Sequence, residues 1–137
     1  MTAARPVVGV GAIVLDDAGR VLLIERGKPP AEGLWSVPGG KLELRETLAQ
    51  AVAREVREET GLTVEVGALA CVVERSSDAY HYVILDYFAR VVGGELVAAS
   101  DARAARFVAL DELAALPLTE GLADILAHAR DQPNRGF

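Results

Sequence analysis

The stretch GKLELRETLAQAVAREVREETGL, residues 40–62, decides the fold of this chain. Thr47 and Gln50 have the spacing of a capping box, which predicts a helix that begins near Thr47. Gly61 stands where a helix commonly ends in a left-handed residue. Between these two signals, the residues that recur at helical spacing and define a buried stripe are Leu48, Ala51, Val52 and Val56.

Acidic residues interrupt this stripe. At about 100° per residue, Glu55 and Glu59 each fall within about 20° of Leu48, and Glu58 lies beside them. Like charges at these spacings repel each other, and anions near a helix C-terminus oppose its dipole. A solvated face with ordinary ion pairs accounts for Arg54 and Glu58 but not for the other two carboxylates, which have no basic residue three or four positions away. The arrangement favours a divalent cation, because Mg²⁺ takes oxygen ligands from carboxylates, water and phosphates.

The same segment reads G-x5-E-x7-R-E-U-x-E-E-x-G-U, where U is aliphatic. It resembles the box of the Nudix hydrolase family at nine fixed positions: Gly40, Glu46, Arg54, Glu55, Val56, Glu58, Glu59, Gly61 and Leu62. The segments LWSVPGG (residues 34–40) and RFVALDEL (residues 106–113) are also similar to segments common in that family. The resemblance implies an α+β fold, in which helices cover a mixed β-sheet as an α/β/α sandwich.

The resemblance also implies a reaction, the hydrolysis of a pyrophosphate bond with Mg²⁺, for which Mn²⁺ is a possible substitute. Arg54 and Glu46 are expected to pair and to support the loop-helix-loop. One carboxylate of the box, or an acidic residue from a later loop, accepts the proton of the attacking water, and the sequence leaves open which. The implied metal ligands are Glu55, Glu58 and Glu59, with the backbone carbonyl of Gly39 or Gly40.

The substrate implied is a nucleoside diphosphate linked to another moiety, as in ADP-ribose, or a nucleoside triphosphate. Residues 80–96 are similar to bacterial proteins of the ADP-ribose pyrophosphatase type, although the proline often found about fifteen residues beyond the box is missing. Candidate base-stacking residues are Trp35, Tyr80 and Tyr82. The candidate substrate-binding residues are Arg26, Trp35, Gly40 and Lys41.

Three positions carry open alternatives. Arg45 stands where the family often has glycine, and it either adds a positive charge near the phosphates or points to solvent. Asp101 is the nearest acidic substitute for a glutamate that often precedes the last strand, and it is either an auxiliary ligand or a turn residue. His81 is either a phosphate donor or an ordinary histidine in a strand.

Composition sets further limits. A chain of 137 residues predicts a single domain over residues 1–137, and a hydrophobic content of 51% excludes general disorder. A net charge of −6 argues against a nucleic-acid polymer as partner. The apolar run of residues 7–15 is too short to span a membrane, so we expect a cytoplasmic protein, for which a homodimer is a possible assembly.

Two other functions compete with hydrolysis. A non-catalytic Nudix-fold sensor would usually have lost a carboxylate of the box, and none is lost here. An isoprenoid diphosphate isomerase would call for a metal site rich in cysteine and histidine, which one cysteine and two histidines do not obviously supply.

Outside the box, turn and strand signals predict the remaining elements. Residues 7–15 and 20–25 should form a hairpin, and residues 38–40 a turn. Asp111 and Thr119 should cap two later helices, and the tail of residues 132–137 should be frayed. The further extended segments expected are residues 34–37, 63–69, 70–75, 82–90 and 106–109.

Overall fold

The computed structural model describes residues 4–137, which form seven β-strands, two α-helices and a 3₁₀-helix. The first strands are short and precede the first helix, whereas two long strands follow it. In chain order the elements are β1 (Val7–Val14), β2 (Val21–Arg26), β3 (Trp35–Ser36), β4 (Gly39–Lys41), α1 (Leu48–Thr60), β5 (Leu62–Ser76), β6 (His81–Gly94), β7 (Ala102–Val108), the 3₁₀-helix (Leu110–Ala115) and α2 (Leu122–Arg130).

The strands form two sheets. The larger is mixed, with the order β4-β1-β6-β5, and β1 runs parallel to β6 but antiparallel to β4. The smaller is antiparallel, with the order β3-β2-β7. Helix α1 packs on one side of this core and α2 on the other, which confirms the predicted α+β sandwich.

Strand β1 is buried on both faces. Successive side chains of a strand point in opposite directions, so neighbouring residues of β1 pack in different parts of the core. Val10, Ala12 and Val14 pack with α1, whereas Ile13 packs with the α2 side together with Phe88 of β6. A strand covered on both faces needs a continuous apolar sequence, which explains the run seen in residues 7–15. This packing holds β1 in place at the base of the functional site.

Helix α1 forms as predicted. The Thr47 side chain accepts from the Gln50 backbone, the Gln50 side chain accepts from the Thr47 backbone, and Gly61 ends the helix at φ 76°. Glu59 is buried in the helix together with its apolar stripe. The helix therefore presents a carboxylate toward the sheet rather than toward solvent.

The predicted hairpin is wrong. β1 and β2 are joined by the expected turn, but they belong to different sheets and share only a bridge between Leu15 and Val21. Each strand has its own partners on both edges, which a local turn signal cannot reveal. The turn predicted at residues 38–40 is also wrong, since Gly39 and Gly40 lie in β4. A Cβ on Gly39 would overlap the carbonyl of Val10, so glycine is needed there for close pairing.

The predictions for the second half of the chain need correction at the strands, at the helix caps and at the tail. The segments expected at residues 63–69 and 70–75 form one irregular strand, β5. Asp111 lies inside the 3₁₀-helix and caps nothing, and α2 begins after Gly121 rather than on a Thr119 cap. The tail is not frayed. The irregularity in β5 frees the Ala68 N–H from the β6 ladder, and this group donates to the Arg135 carbonyl at 2.9 Å.

Within residues 4–137, no helix is both long and apolar enough to cross a bilayer.

Candidate active site

A cavity of about 1060 Å³ lies where the C-terminal half of α1 meets β4, and it extends over β1 and β6 toward α2. Its walls carry charges of both signs. The acidic lining residues are Glu43, Glu55, Glu59, Asp86, Asp101 and Glu120, and the basic ones are Arg26, Lys28, Lys41 and Arg75. The fold thus brings two of the three carboxylates expected to bind metal into one cavity with several cations.

Glu59 is the most deeply buried box carboxylate, with only 4% of the residue exposed. Its Oε1 accepts a hydrogen bond from the Gly39 N–H at 2.8 Å, the one hydrogen bond found for this carboxylate within residues 4–137. Burial, together with the charges of Glu55 and Asp101, raises its pKa to about 8 against the opposing effect of Gly39 and Arg26. A carboxylate placed in this way is stabilised by any cation that enters the cavity.

Glu55 lies one turn earlier, with 14% of its side chain exposed. Its Oε1 accepts from Arg54 Nη1 at 2.8 Å, so the expectation that Glu55 lacks a basic partner is wrong. The helical spacing rule missed this pair because the Arg54 side chain bends back toward β4 from the adjacent position. Burial still raises the pKa of Glu55, and a Cβ on Gly40 would overlap its carboxylate. Glycine at this position lets the carboxylate lie against the strand.

The expected pair of Arg54 and Glu46 is present. Arg54 Nε donates to Glu46 Oε2 at 2.6 Å, and Nη2 donates to Oε1 at 2.9 Å. Nη2 also donates to the Lys41 carbonyl at 3.0 Å. Through these bonds Glu46 raises the pKa of Arg54, and Arg54 lowers the pKa of Glu46. Arg54 therefore ties the loop before α1, the end of β4 and the helix to one another.

The two glycine carbonyls of β4 point in different directions. Ala12 donates to the Pro38 carbonyl and Leu42 donates to the Val8 carbonyl, so Gly40 between them is in a hydrogen-bonded pair with Val10. The Gly40 carbonyl is thus used in the ladder with β1. The polar groups of Gly39 face the open edge of the sheet, where its N–H meets Glu59. Gly39 is therefore the better backbone ligand of the two.

Glu58 is less enclosed, with 48% of its side chain exposed, and its Oε2 accepts from Arg54 Nη1 at 3.3 Å. Across residues 4–137, no three acidic, histidine or cysteine side chains converge on one point as they stand, since Arg54 attracts both Glu55 and Glu58. The donor chemistry nevertheless fits a hard divalent cation. The available ligands are all oxygens, and Glu59 is buried with too little positive charge around it.

Residues 5–129 match the family model described as the NUDIX domain. The chain belongs to the Nudix hydrolase family. It is 38% identical to the ADP-ribose pyrophosphatase of Methanocaldococcus jannaschii over 111 residues, which are 80% of this chain and 65% of that protein. It is also 38% identical over 91 residues to the 8-oxo-dGDP phosphatase of Mus musculus, covering 66% of this chain and 27% of that one.

Among solved structures, a MutT NUDIX hydrolase from Burkholderia pseudomallei superposes with a TM-score of 0.82 at 38% identity. The match covers 90% of this chain and 98% of that one. By contrast, this chain spans about two thirds of the Methanocaldococcus protein and about a quarter of the mouse protein. The similarity to these two relatives therefore concerns the Nudix domain.

The four predicted substrate-binding residues separate into two groups. Arg26, Gly40 and Lys41 line the cavity of this Nudix domain, and Arg26 Nε donates to the Pro30 carbonyl at 2.8 Å. Trp35 does not line it. Its indole packs on the α2 side of the core, with the guanidinium of Arg106 5.2 Å from the ring centroid. The orientation of β3 turns this side chain away from the cavity.

The three open positions now have defined locations. Asp101 lies in the cavity wall, where its Oδ1 is 2.8 Å from Lys28 Nζ. Arg45 is exposed and has φ 68°, a left-handed conformation in which glycine is free of steric strain, which explains why the family often has glycine there. His81 is exposed at the start of β6 and does not line the cavity.

The sequence analysis missed Asp86, which lies in β6 and lines the cavity with only 4% of the residue exposed. The available signal was weak. In the run VILDYF, Asp86 shares its period-two face with the apolar residues Ile84 and Phe88. A single charge inside an apolar strand identifies a buried polar group but does not tell what it binds.

Proposed function

We propose that this protein hydrolyses a phosphoanhydride bond in a nucleoside diphosphate linked to another moiety, with Mg²⁺ as cofactor. The observation that carries the proposal is the buried carboxylate of Glu59 beside Glu55, in a cavity that cationic side chains also line. A substrate phosphate is repelled by these carboxylates when they are ionised, and a cation between them removes the repulsion. The site therefore suits a divalent cation and a phosphate together.

The ligands for Mg²⁺ would be carboxylate oxygens of Glu55, Glu58 and Glu59, with the carbonyl of Gly39 in preference to that of Gly40. When bound, Mg²⁺ supplies charge neutralisation at the phosphate and makes a bound water more acidic. Arg54 acts as a positioning residue, because its bonds to Glu46 and Glu55 fix the loop against the helix. The protein's own share of catalysis is this prepared arrangement of ligands.

The cations on the cavity walls would bind the part of the diphosphate that the metal does not neutralise. Arg26 is close enough to lower the pKa of Glu59, so its charge reaches the reacting end of the cavity. Lys28 is held by Asp101, and Lys41 is exposed at the rim. These side chains would orient the diphosphate rather than exchange protons with it.

The size of the cavity favours an extended substrate. A volume of about 1060 Å³ is at the upper end of the range of roughly 300–1,000 Å³ that is typical of small-molecule sites. This favours an ADP-ribose-like molecule over a nucleoside triphosphate. The similarity to the Methanocaldococcus ADP-ribose pyrophosphatase supports the same substrate class, whereas the similarity to the mouse 8-oxo-dGDP phosphatase keeps nucleotides in the test panel.

The test is a hydrolysis panel with ADP-ribose, 8-oxo-dGDP and the four dNTPs, each with Mg²⁺, Mn²⁺ or EDTA, followed by chromatography of the products. We expect ADP-ribose to give AMP and ribose 5-phosphate with either metal and nothing in EDTA. Glu112→Gln, a change at an exposed residue of the 3₁₀-helix, is the control variant. Cleavage undiminished in EDTA would contradict the metal requirement, and no cleavage of any compound would favour a ligand-binding sensor.

A further inference from the structure

Asp86 is a buried carboxylate in the cavity for which the proposed hydrolysis has no use. The Cys71 thiol lies 3.7 Å from its Oδ2, a weak hydrogen bond. Within residues 4–137, no group donates to its other oxygen, Oδ1. This unpaired oxygen is not enclosed by protein atoms, so it is accessible from the cavity. A carboxylate that lines a cavity with one oxygen free is therefore placed to accept a hydrogen bond from a ligand.

The register of the large sheet fixes where this oxygen lies. Asp86 is opposite Gly11 in β1, and Gly11 is opposite Gly39 in β4. A Cβ on Gly11 would overlap Asp86 Oδ1, so glycine at this position makes room for the carboxylate. Two strand spacings separate β6 from β4, or about 10 Å. Asp86 therefore contacts a different part of the ligand from the part held at Gly39 and Glu59.

The charge of Asp86 limits what that part can be. Burial raises its pKa to about 6, against the opposing charge of Arg75, so the group is mostly ionised at neutral pH. An ionised carboxylate only accepts hydrogen bonds. It would repel a phosphate, so the diphosphate belongs at the other end. The matching ligand group is a neutral hydrogen-bond donor.

Two tyrosines lie near the start of β6, and Ile84 separates the nearer one from Asp86 on this face of the strand. Tyr82 and Asp86 are on the same face of β6, and the rings of Tyr80 and Tyr82 have centroids 5.3 Å apart. Both tyrosines line the cavity. Flat aromatic surfaces suit a planar base, which stacks on them through its π face. The combination of an aromatic wall and a free acceptor fits a nucleobase that carries an amino group.

We propose that Asp86 is a specificity-determining residue whose Oδ1 accepts a hydrogen bond from the amino group of the substrate's purine base. The inference rests on the proposed function, since it assumes an ADP-ribose-like substrate. It assigns the two ends of the cavity to different tasks. The end at β4 holds the reacting diphosphate, and the end at β6 selects the base.

The first test compares ADP-ribose with its analogue in which purine replaces adenine, so that only the 6-amino group is lost. We expect wild-type protein to show a KM at least ~10-fold lower for ADP-ribose, because a site built around a hydrogen bond rejects the analogue that lacks it. Asp86→Leu, which removes the acceptor at similar size, should abolish this preference while kcat stays within ~3-fold. Asp78→Asn, at an exposed residue outside the cavity, should behave as wild type.

A binding measurement separates this proposal from the proposed function. Calorimetric titration of ADP-ribose and its analogue in EDTA, with Glu59→Gln protein as well as wild type, reports recognition without turnover. A preference for ADP-ribose in both proteins supports the assignment even if no hydrolysis is found. Equal affinity of wild-type protein for the two ligands overturns it without any variant having to fold. The assignment is also overturned if Asp86→Leu lowers kcat alone or retains the preference.

Discussion

Glu59 and Asp86 are equally buried carboxylates in one cavity, yet their surroundings differ. Glu59 has Glu55, Arg26 and Asp101 as charged neighbours, and burial, the largest cause, raises its pKa to about 8. Asp86 has a thiol and the charge of Arg75 nearby, and its pKa rises only to about 6. A carboxylate among carboxylates calls for a cation, whereas an isolated carboxylate opposite glycine calls for a neutral donor. Burial alone therefore does not define a role, and the neighbouring charges do.

Of the changes that test this difference between Glu59 and Asp86, Glu59→Gln is expected to have the largest effect. This change keeps the size of the side chain and removes the charged ligand, so we expect kcat to fall by at least ~10²-fold. Without metal at pH 9, where Glu59 is ionised, the melting temperature should rise, because a buried charge is removed. Steady-state kinetics and thermal melts of the same preparation measure both quantities. A variant that unfolds but keeps full activity per folded molecule would show that Glu59 is structural.

The pH dependence of stability separates the two carboxylates. For both, the folded-state pKa lies above the unfolded one, so the folded protein binds more protons and becomes less stable as pH rises. In EDTA, the free energy of unfolding should fall between pH 4.5 and 8 by on the order of a few kcal/mol. Denaturant titrations at a series of pH values measure this fall.

Variants show which carboxylate causes which part of the fall in the free energy of unfolding. Asp86→Asn should flatten the part below pH 6, and Glu59→Gln the part that extends to pH 8. Saturating Mg²⁺ should restore stability in the upper part of the range, because it binds the ionised form. Curves that do not change in either variant would mean that neither carboxylate has the raised pKa on which the comparison depends.

Arg54 and Glu46 test whether the reacting end depends on its supporting pair. Either Arg54→Ala or Glu46→Ala breaks the bidentate contact, so the effects of the two changes on rate and melting temperature should be less than additive. Arg54→Lys keeps the charge but loses the fork and should lower both quantities. Fully additive losses in a double-mutant cycle would show that the two residues do not act as a pair.

The smallest effect is expected at Arg45. Arg45→Gly removes a side chain from a left-handed backbone, so the protein should be equally stable or gain up to about 1 kcal/mol, since relief of strain and added chain entropy oppose each other. The KM should not change, because Arg45 does not line the cavity. Urea unfolding and steady-state kinetics measure the two quantities. A rise in KM would place Arg45 near the phosphates after all.

Local sequence rules predicted the end of the cavity at α1 and Glu59 well, and the end at β6 and Asp86 poorly. Helix α1, with its caps and its inward-facing Glu59, follows from spacing within one segment. The pairing of β1 with β4 and β6 depends on residues far apart in the chain, so a turn signal suggested a hairpin instead. Gly39 and Gly40 indicated a turn, although their use is close approach to β1 and Glu55. The role proposed for Asp86 depends on Gly11 of the neighbouring strand, and no local sequence signal shows that the two residues are paired.

The most direct test of the central claim is calorimetric titration of Mg²⁺ into metal-free protein at pH 7 in buffers of different ionisation enthalpy, which counts the protons released. Since the pKa of Glu59 is about 8, the account predicts that Mg²⁺ binding displaces up to about one proton from wild-type protein. In Glu59→Gln, binding should be weaker and this proton should be missing. Equal affinity and equal proton release in both proteins would contradict the assignment of Glu59 as the buried carboxylate that receives the cation.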